Sequence, residues 1–179
     1  MSDNPVGEPN KGGRPSKKQA VKDMIAKHES GGKYNVVYGG KEIPLEKMTI
    51  AEVMAWQDMM SKDGAKSTAV GKYQIIGKTM KDLSRRNPED FGPDRLFDAE
   101  AQEWAADTLL NRRGWNDFEK GIISDQEMAL ELAKEWASLP DPSTGKSYYE
   151  KDGLNKSHHQ VEDVFNVLNL VEARPNGLR

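Results

Sequence analysis

Four capping patterns divide most of this 179-residue chain into short helical segments. In each pattern a Ser or Thr stands three residues before a Glu or Gln, so each side chain can accept a hydrogen bond from the other residue's backbone N–H. Apolar residues at helical spacing follow these patterns and also occupy residues 99–113. The sequence therefore predicts five or six helices. The paired positions are Ser16 with Gln19, Thr49 with Glu52, Ser124 with Glu127 and Ser157 with Gln160.

One segment after the first helix has the composition of a strand pair. Val36, Val37 and Tyr38 favour a strand, and the glycines at 39 and 40 favour a tight turn. A hairpin this short cannot stand alone, so it must pack against the helices. The predicted fold class is α+β, mostly α, with five or six helices and one small β-hairpin.

The N-terminal end differs in composition from the rest of the chain. Residues 1–15 are rich in Gly, Pro and polar residues and carry one aliphatic side chain, Val6. We expect a disordered tail there, followed by one domain over residues 16–179. No run approaches the roughly 18 consecutive apolar residues of a membrane span, and no apolar segment typical of a secretory signal is present near the start. The sequence predicts no stable membrane insertion.

Composition excludes several classes of site. The chain has no cysteine, which excludes disulfides, thiol catalysis and cysteine-based zinc sites. Its three histidines are His28 and the adjacent pair His158 and His159, a poor set of ligands for a metal site. We expect neither a metal nor a cofactor.

The charge of the chain argues against nucleic acid as a partner. The formal net charge is −3, and residues 98–135 carry ten acidic side chains against four basic ones. A nucleic-acid-binding domain would instead cluster Lys and Arg on its ordered helices. Residues 1–18 have four basic side chains against two acidic ones, which suits contact with phosphate or an anionic wall polymer, or simply a solubilising leader.

A glutamate lies at an unusual place on the first predicted helix. Glu29 follows Ile25 by four residues and Val21 by eight, which places it on the buried side of the helix. It also lies in the last turn, where the helix dipole disfavours a negative charge, and partial burial disfavours that charge too. Both effects raise a carboxyl pKa, as general acid catalysis on a glycosidic bond requires. The alternative is a glutamate at a frayed helix end that points to water.

A second segment, STAVGKYQII at residues 67–76, gives this glutamate a context. The sequence E-S-G-G at residues 29–32, followed about forty residues later by G-x-Y-Q-I, resembles the lysozyme-like superfamily of goose-type lysozymes, soluble lytic transglycosylases and lambda-type phage endolysins. The stretches YNVVYGG and KEWASLP are similar to the same family. The resemblance covers roughly residues 18–150. It implies a lysozyme-like fold, peptidoglycan glycan strands as the partner, and a monomer.

The resemblance also implies roles for individual residues at matching positions. Glu29 would be the catalytic acid and base. Gly71, which has no Cβ, would let the backbone approach the glycan closely. The loops at residues 63–69 and 139–149 would form the two lips of the substrate groove. The candidate substrate-binding residues are Ser67, Gly71, Tyr73, Gln74, Tyr34 and Tyr148.

The implied reaction is cleavage of the β-1,4 bond between N-acetylmuramic acid and N-acetylglucosamine. Two-carboxylate glycosidases need a second Asp or Glu, but Asp58 reads as a solvent-facing helix residue and Asp63 as a turn residue. A single-carboxylate mechanism fits better, namely lytic transglycosylation that leaves a 1,6-anhydro-muramic end. The alternatives are a hydrolytic muramidase and a non-catalytic wall-binding or virion structural protein.

The resemblance bears on where such a protein acts. Without a signal peptide, it would be made in the cytoplasm of the bacterial host. It would then reach the wall after release through a holin-type pore, or from outside as part of a virion. The sequence favours neither route.

Overall fold

A computed structural model describes residues 15–149 and 161–170 of the chain. Residues 1–14 of the expected tail and the expected helix cap at Ser157 lie outside the described residues. The described part contains seven α-helices and a short 3-10 helix at Leu45–Lys47. None of its helices is long and apolar enough to span a membrane. The α-helices are α1 (Lys17–Glu29), α2 (Ile50–Lys62), α3 (Gly77–Arg86), α4 (Ala99–Arg112), α5 (Trp115–Glu119), α6 (Asp125–Glu135) and α7 (Val161–Leu168).

Side-chain caps set where several of these helices begin. The reciprocal hydrogen bonds predicted for Thr49 with Glu52 and for Ser124 with Glu127 both form at the starts of α2 and α6, which confirms these two predictions. At α1 the Ser16 hydroxyl accepts a backbone N–H at 3.1 Å, so that start is capped too. Each cap supplies a partner for a backbone N–H that the helix itself leaves without one.

The predicted hairpin is reduced to isolated antiparallel pairs. Val36 pairs with Glu42, and Val37 pairs with Val70. Gly39, between the first pair, has a φ of +87°, a conformation that glycine adopts without steric cost. No continuous strand forms among the described residues. The hairpin is therefore not confirmed, and the described part of the chain is mainly helical.

The described part has one α-helix more than the upper predicted number of six, and α5 is the shortest of the seven. The helix α3 packs against α2 and buries Met80 and Leu83, although most of its other residues are polar. The helix α5 follows Gly114, whose φ of +96° redirects the chain after α4, and it buries Trp115 completely. Because isolated helices of this length are marginal in water, tertiary packing of a few apolar side chains maintains them.

The helix α4 contributes five apolar residues to the hydrophobic core. Ala101, Ala105 and Ala106 are buried on this helix, and their small side chains allow neighbouring elements to approach it closely. The same continuous core includes the apolar face of α1 and, from the segment at residues 67–76, Tyr73. The two segments that the sequence singled out are thus held by one core.

Candidate active site

Glu29 is the last residue of α1, and its side chain is half-buried. The helix carries Val21 and Ile25 into the core with no exposed surface. Glu29 lies one turn beyond Ile25, on the face that the periodicity of the sequence predicted. It lines two adjoining cavities. The carboxyl therefore lies in a cleft at the end of the helix.

The two cavities meet at Glu29. Their volumes are about 560 Å³ and about 850 Å³, within the range of typical ligand sites. The smaller one extends along residues 28–40, and the larger one extends over residues 66–79 and the end of α4. Because they share wall residues, the two cavities adjoin, and together they are called the cleft here. The shared residues are Glu29, Tyr38, Gln74 and Ala137.

The end of α1 is fastened to the segment at residues 67–76. The Ser30 hydroxyl donates a hydrogen bond of 2.7 Å to the carbonyl oxygen of Lys72. The backbone N–H groups of Ser30 and Gly32 both donate to the carbonyl of Ala26, at 3.0 and 3.1 Å. Gly32 has a φ of +80°, which lets the chain turn away directly after the helix. The position of Glu29 is thus fixed both by its helix and by its neighbour in sequence.

Gly71 is buried and lines neither cavity. Its φ is +81°, and a Cβ at this position would overlap the Oε1 atom of Gln102. That oxygen accepts the Lys72 N–H at 2.9 Å, and the Gln102 amide nitrogen donates to the Phe97 carbonyl at 3.1 Å. The structure thus explains this glycine by a left-handed turn packed against α4. The expected approach of its backbone to the glycan stays a prediction.

The other three residues predicted from this segment, Ser67, Tyr73 and Gln74, line the larger cavity. Ser67 is half-buried, and its hydroxyl accepts the Ala69 N–H at 3.2 Å. Tyr73 is 1% exposed, and its hydroxyl donates to Glu103 at 2.7 Å. The Tyr73 hydroxyl is therefore used in a hydrogen bond inside the protein, and the buried ring supports the wall of the larger cavity.

Gln74 has an unusual backbone conformation for a residue with a side chain. Its φ is +49°, in the left-handed region that costs such a residue roughly 1–3 kcal/mol. Its amide nitrogen donates to the carbonyls of Val36 and Gly71, at 3.1 and 2.9 Å. These bonds hold the strained residue in place at the junction of the two cavities. Strain of this kind is concentrated at functional positions.

Two of the predicted tyrosines lie outside the two cavities, and two other tyrosines line them. Tyr34 and Tyr148 line neither cavity: Tyr34 donates its hydroxyl to Glu103 at 2.8 Å, and Tyr148 packs edge-on against Tyr149. Tyr38 lines both cavities, and Tyr149 lines the larger one. They are 46% and 39% exposed. The sequence singled out their segments but not these side chains.

A cluster of charged and polar side chains lies between α4 and the segment at residues 71–74, and no pattern in the sequence predicted it. Glu103 on α4 accepts hydrogen bonds at Oε1 from Tyr34 and from Lys72, the latter at 2.7 Å. At Oε2 it accepts from Tyr73, and Lys22 lies 2.6 Å from the same atom. Burial opposes this charge, but hydrogen bonds from Lys22, Lys72 and Tyr73 lower the pKa of Glu103 to about 2. These five residues, the Glu103 cluster, tie α1, α4 and the cleft segment together.

The endolysin family model matches the chain over residues 19–164. The chain belongs to the endolysin family. Endolysins are phage enzymes that break down the peptidoglycan of the cell wall, so peptidoglycan is the substrate of this enzyme. The matched span contains Glu29 and every residue that lines the two cavities. Comparisons with curated proteins and with solved structures found no match.

The two aspartates that the sequence raised as second carboxylates lie outside the cleft walls of this enzyme. Asp58 is on the exposed side of α2 and pairs with Lys81 at 2.6 Å. Asp63 ends the same helix as its C-cap. Asp58 thus faces solvent and Asp63 lies at the turn after the helix, as the sequence predicted.

Two other carboxylates line the larger cavity beside Glu29. Asp82 lies 2.8 Å from Arg112, and Glu135 lies 2.8 Å from Arg113. Each is therefore held as the anion of an ion pair. Hydrogen bonds from arginines, that of Arg86 first, lower the pKa of Asp82, which opposes the protonation that a general acid needs. Arg113 occupies the Oε2 atom of Glu135, one of the two oxygens that a nucleophile could use.

No group of three or more His, Cys, Asp or Glu side chains within residues 15–149 and 161–170 is arranged to hold a metal ion. The adjacent His158 and His159 lie outside these ranges.

Proposed function

We propose that this endolysin cleaves the β-1,4 bond between N-acetylmuramic acid and N-acetylglucosamine by lytic transglycosylation. Glu29 would be its one catalytic carboxyl, on a lysozyme-like fold. The observation that carries the proposal is the position of Glu29 at the junction of two cavities. A glycan strand lying along the cleft would place sugars on both sides of this carboxyl, with the bond to be cleaved beside it.

Glu29 would act first as an acid and then as a base. Its carboxyl proton passes to the glycosidic oxygen, and N-acetylglucosamine leaves with that oxygen as a new hydroxyl. The acetamido oxygen of the muramic sugar stabilises the positive charge at C1. The carboxylate then removes the proton of the C6 hydroxyl, whose oxygen bonds to C1 and closes the 1,6-anhydro ring. Glu29 is protonated again and no water is consumed.

The pairing of the other carboxylates supports this single-carboxyl route. Retaining and inverting glycosidases place a second carboxyl close to the acid, as a nucleophile or as a base for water. In the described walls of this cleft, Asp82 and Glu135 are each held by an arginine. The substrate's own acetamido and hydroxyl groups would then serve in place of a second protein carboxylate.

Residues next to Glu29 offer contacts for the sugars. The amide nitrogen of Gln74 donates hydrogen bonds to two backbone carbonyls. Its amide oxygen is therefore the atom that would accept a hydrogen bond from a sugar N–H or hydroxyl. The exposed rings of Tyr38 and Tyr149 offer flat apolar surfaces with a polar edge, which suits the face of a sugar ring. Gln74 and Tyr38 lie in both cavities and would contact the sugars on either side of the cleaved bond.

The test is mass spectrometry of the soluble products released from purified peptidoglycan by the wild type and by Glu29→Gln. We expect wild-type muropeptides to be lighter than hydrated ones by one water. We expect the variant to lose about 10²-fold or more of the rate. A matched control is Glu42→Gln, which changes an exposed glutamate paired with Lys33 and should leave the rate unchanged.

Three results would contradict the proposal. Hydrated reducing ends would show hydrolysis by water. Intact glycan strands with new peptide termini would show that this endolysin cuts the peptide part of the wall. Full activity of a folded Glu29→Gln variant would remove Glu29 from the chemistry.

A further inference from the structure

We propose that the larger cavity binds the stem peptide of peptidoglycan through its carboxylates, and that Lys66 and Lys78 recognise them. This inference rests on the proposed function for the position of the glycan, since the stem peptide is attached to the muramic sugar beside the cleaved bond. It adds a preference for glycan strands that carry peptides over strands that do not.

The two halves of the cleft differ strongly in charge. The smaller cavity is lined by one lysine, Lys33, which pairs with Glu42 at 3.3 Å. The larger cavity is lined by five basic side chains, against two acidic ones besides Glu29. Its walls therefore carry an excess of positive charge that the smaller cavity lacks. The five basic residues are Lys66, Lys78, Arg112, Arg113 and Lys134.

Two of these five charges have no ionic partner among residues 15–149 and 161–170. The arginines pair with Asp82 and Glu135, as described above, and Lys134 lies 2.7 Å from Glu131. Lys66 and Lys78 are exposed and form no ion pair in that part of the chain. Their ammonium groups are available to a ligand in the cavity.

Both lysines flank the cleft segment that carries Ser67 and Gln74. Lys66 directly precedes it in the loop after α2, and Lys78 follows it in the first turn of α3. A group that enters the larger cavity from a sugar held at Gln74 would therefore pass along a wall with a cation near each end of this segment.

The chemistry of the substrate identifies what these cations would bind. The sugar backbone of peptidoglycan is uncharged, because the lactyl carboxyl of its muramic acid is used in the amide bond to the peptide. The free carboxylates lie on the stem peptide. A cation that met only neutral sugar would exchange water for neutral hydroxyl and carbonyl oxygens, whereas an ammonium and a carboxylate form a stronger, charge-assisted hydrogen bond.

The test compares initial rates on soluble glycan strands that carry stem peptides with rates on the same strands after an amidase has removed the peptides and the lactyl carboxyls so freed have been converted to neutral methylamides. We expect the wild type to cleave the peptide-bearing strands about ten-fold faster in kcat/KM, as two partly exposed ion pairs would provide. The Lys66→Gln, Lys78→Gln double variant should bring the ratio of the two rates close to one. The Lys66→Glu, Lys78→Glu variant should bring it below one.

The control is Lys62→Gln, an exposed lysine at the end of α2 that lines neither cavity. It should keep the wild-type ratio. A wild type that cleaves both substrates at equal rates would overturn this inference and leave the proposed function standing. A double variant that keeps the wild-type ratio would also overturn this inference and leave the proposed function standing. If the wild type released no anhydro ends from either substrate, the proposed function would fail and this inference with it.

Discussion

Replacing Glu103 by Gln should remove about 3 kcal/mol from the free energy of unfolding at neutral pH. Hydrogen bonds in the cluster lower the pKa of this carboxyl from 4.5 to about 2, and each pKa unit corresponds to about 1.4 kcal/mol. The variant would also leave the 7% exposed ammonium of Lys22 without its closest anion. For a chain of this length, the loss should lower the melting temperature by roughly 10 °C.

The effect should depend on pH in a defined direction. The pKa of Glu103 is lower in the folded protein than in the unfolded chain, so its stabilising contribution is complete above about pH 4.5. The contribution is lost as the pH falls from there through about 2. Melting curves followed by circular dichroism should therefore show a constant difference between wild type and Glu103→Gln from pH 7 to pH 5. The difference should narrow at pH 4 and pH 3.

The same helix provides a matched control. Glu100 also lies on α4, but its side chain is 79% exposed and its oxygen is 3.8 Å from Arg95. Glu100→Gln should change the free energy of unfolding by less than about 0.5 kcal/mol. The reasoning is refuted if Glu103→Gln melts within a degree or two of Glu100→Gln, or if its deficit persists undiminished at pH 3.

The remaining predictions concern the two backbone connections near the cleft. Gly71→Ala should lower the free energy of unfolding by about 3 kcal/mol, because a Cβ would overlap Gln102 and φ is positive. The control Gly121→Ala has a φ of +73° and open space around the added Cβ, so it should lower that free energy by only about 1 kcal/mol. Equal melting temperatures for the two variants would show that the overlap is relieved without cost. Ser30→Ala removes the hydrogen bond to the Lys72 carbonyl and should lower kcat about ten-fold with little change in KM, because the adjacent carboxyl loses its fixed position. An unchanged kcat on soluble glycan strands would show that α1 alone sets that position.

Local patterns predicted the starts of helices well, because a cap is decided by residues three apart. The boxes at Thr49 and Ser124 form as expected. The same reasoning missed α5, a helix of five residues, because it is too short to show a period. It also expected a hairpin where the chain forms isolated pairs, since strand composition does not reveal how far pairing extends.

In the candidate site, too, the features decided by residues close in sequence could be predicted, and those decided by distant contacts could not. Helical periodicity placed Glu29 on the apolar side of α1, and the structure shows it half-buried at the cleft. The reason for Gly71 could not be read from the sequence, because its neighbour Gln102 comes from a helix much later in the chain. The same holds for Glu103, whose partner Tyr34 is 69 residues away. Contacts of this range leave no local pattern.

The Glu103 cluster also bears on the chemistry, although it contains no residue of the proposed reaction. Proton transfer requires the carboxyl oxygen and the glycosidic oxygen to approach within about 3 Å. The carboxyl is carried by α1, and the sugar would be held by Gln74 in the segment that follows Gly71. The cluster binds both elements to α4, through Lys22 on α1 and Lys72 and Tyr73 on the segment. Burying this charge is costly. If Glu29 is the acid and Gln74 holds the sugar, as proposed, the fixed spacing between them would be a physical reason for the enzyme to bear that cost.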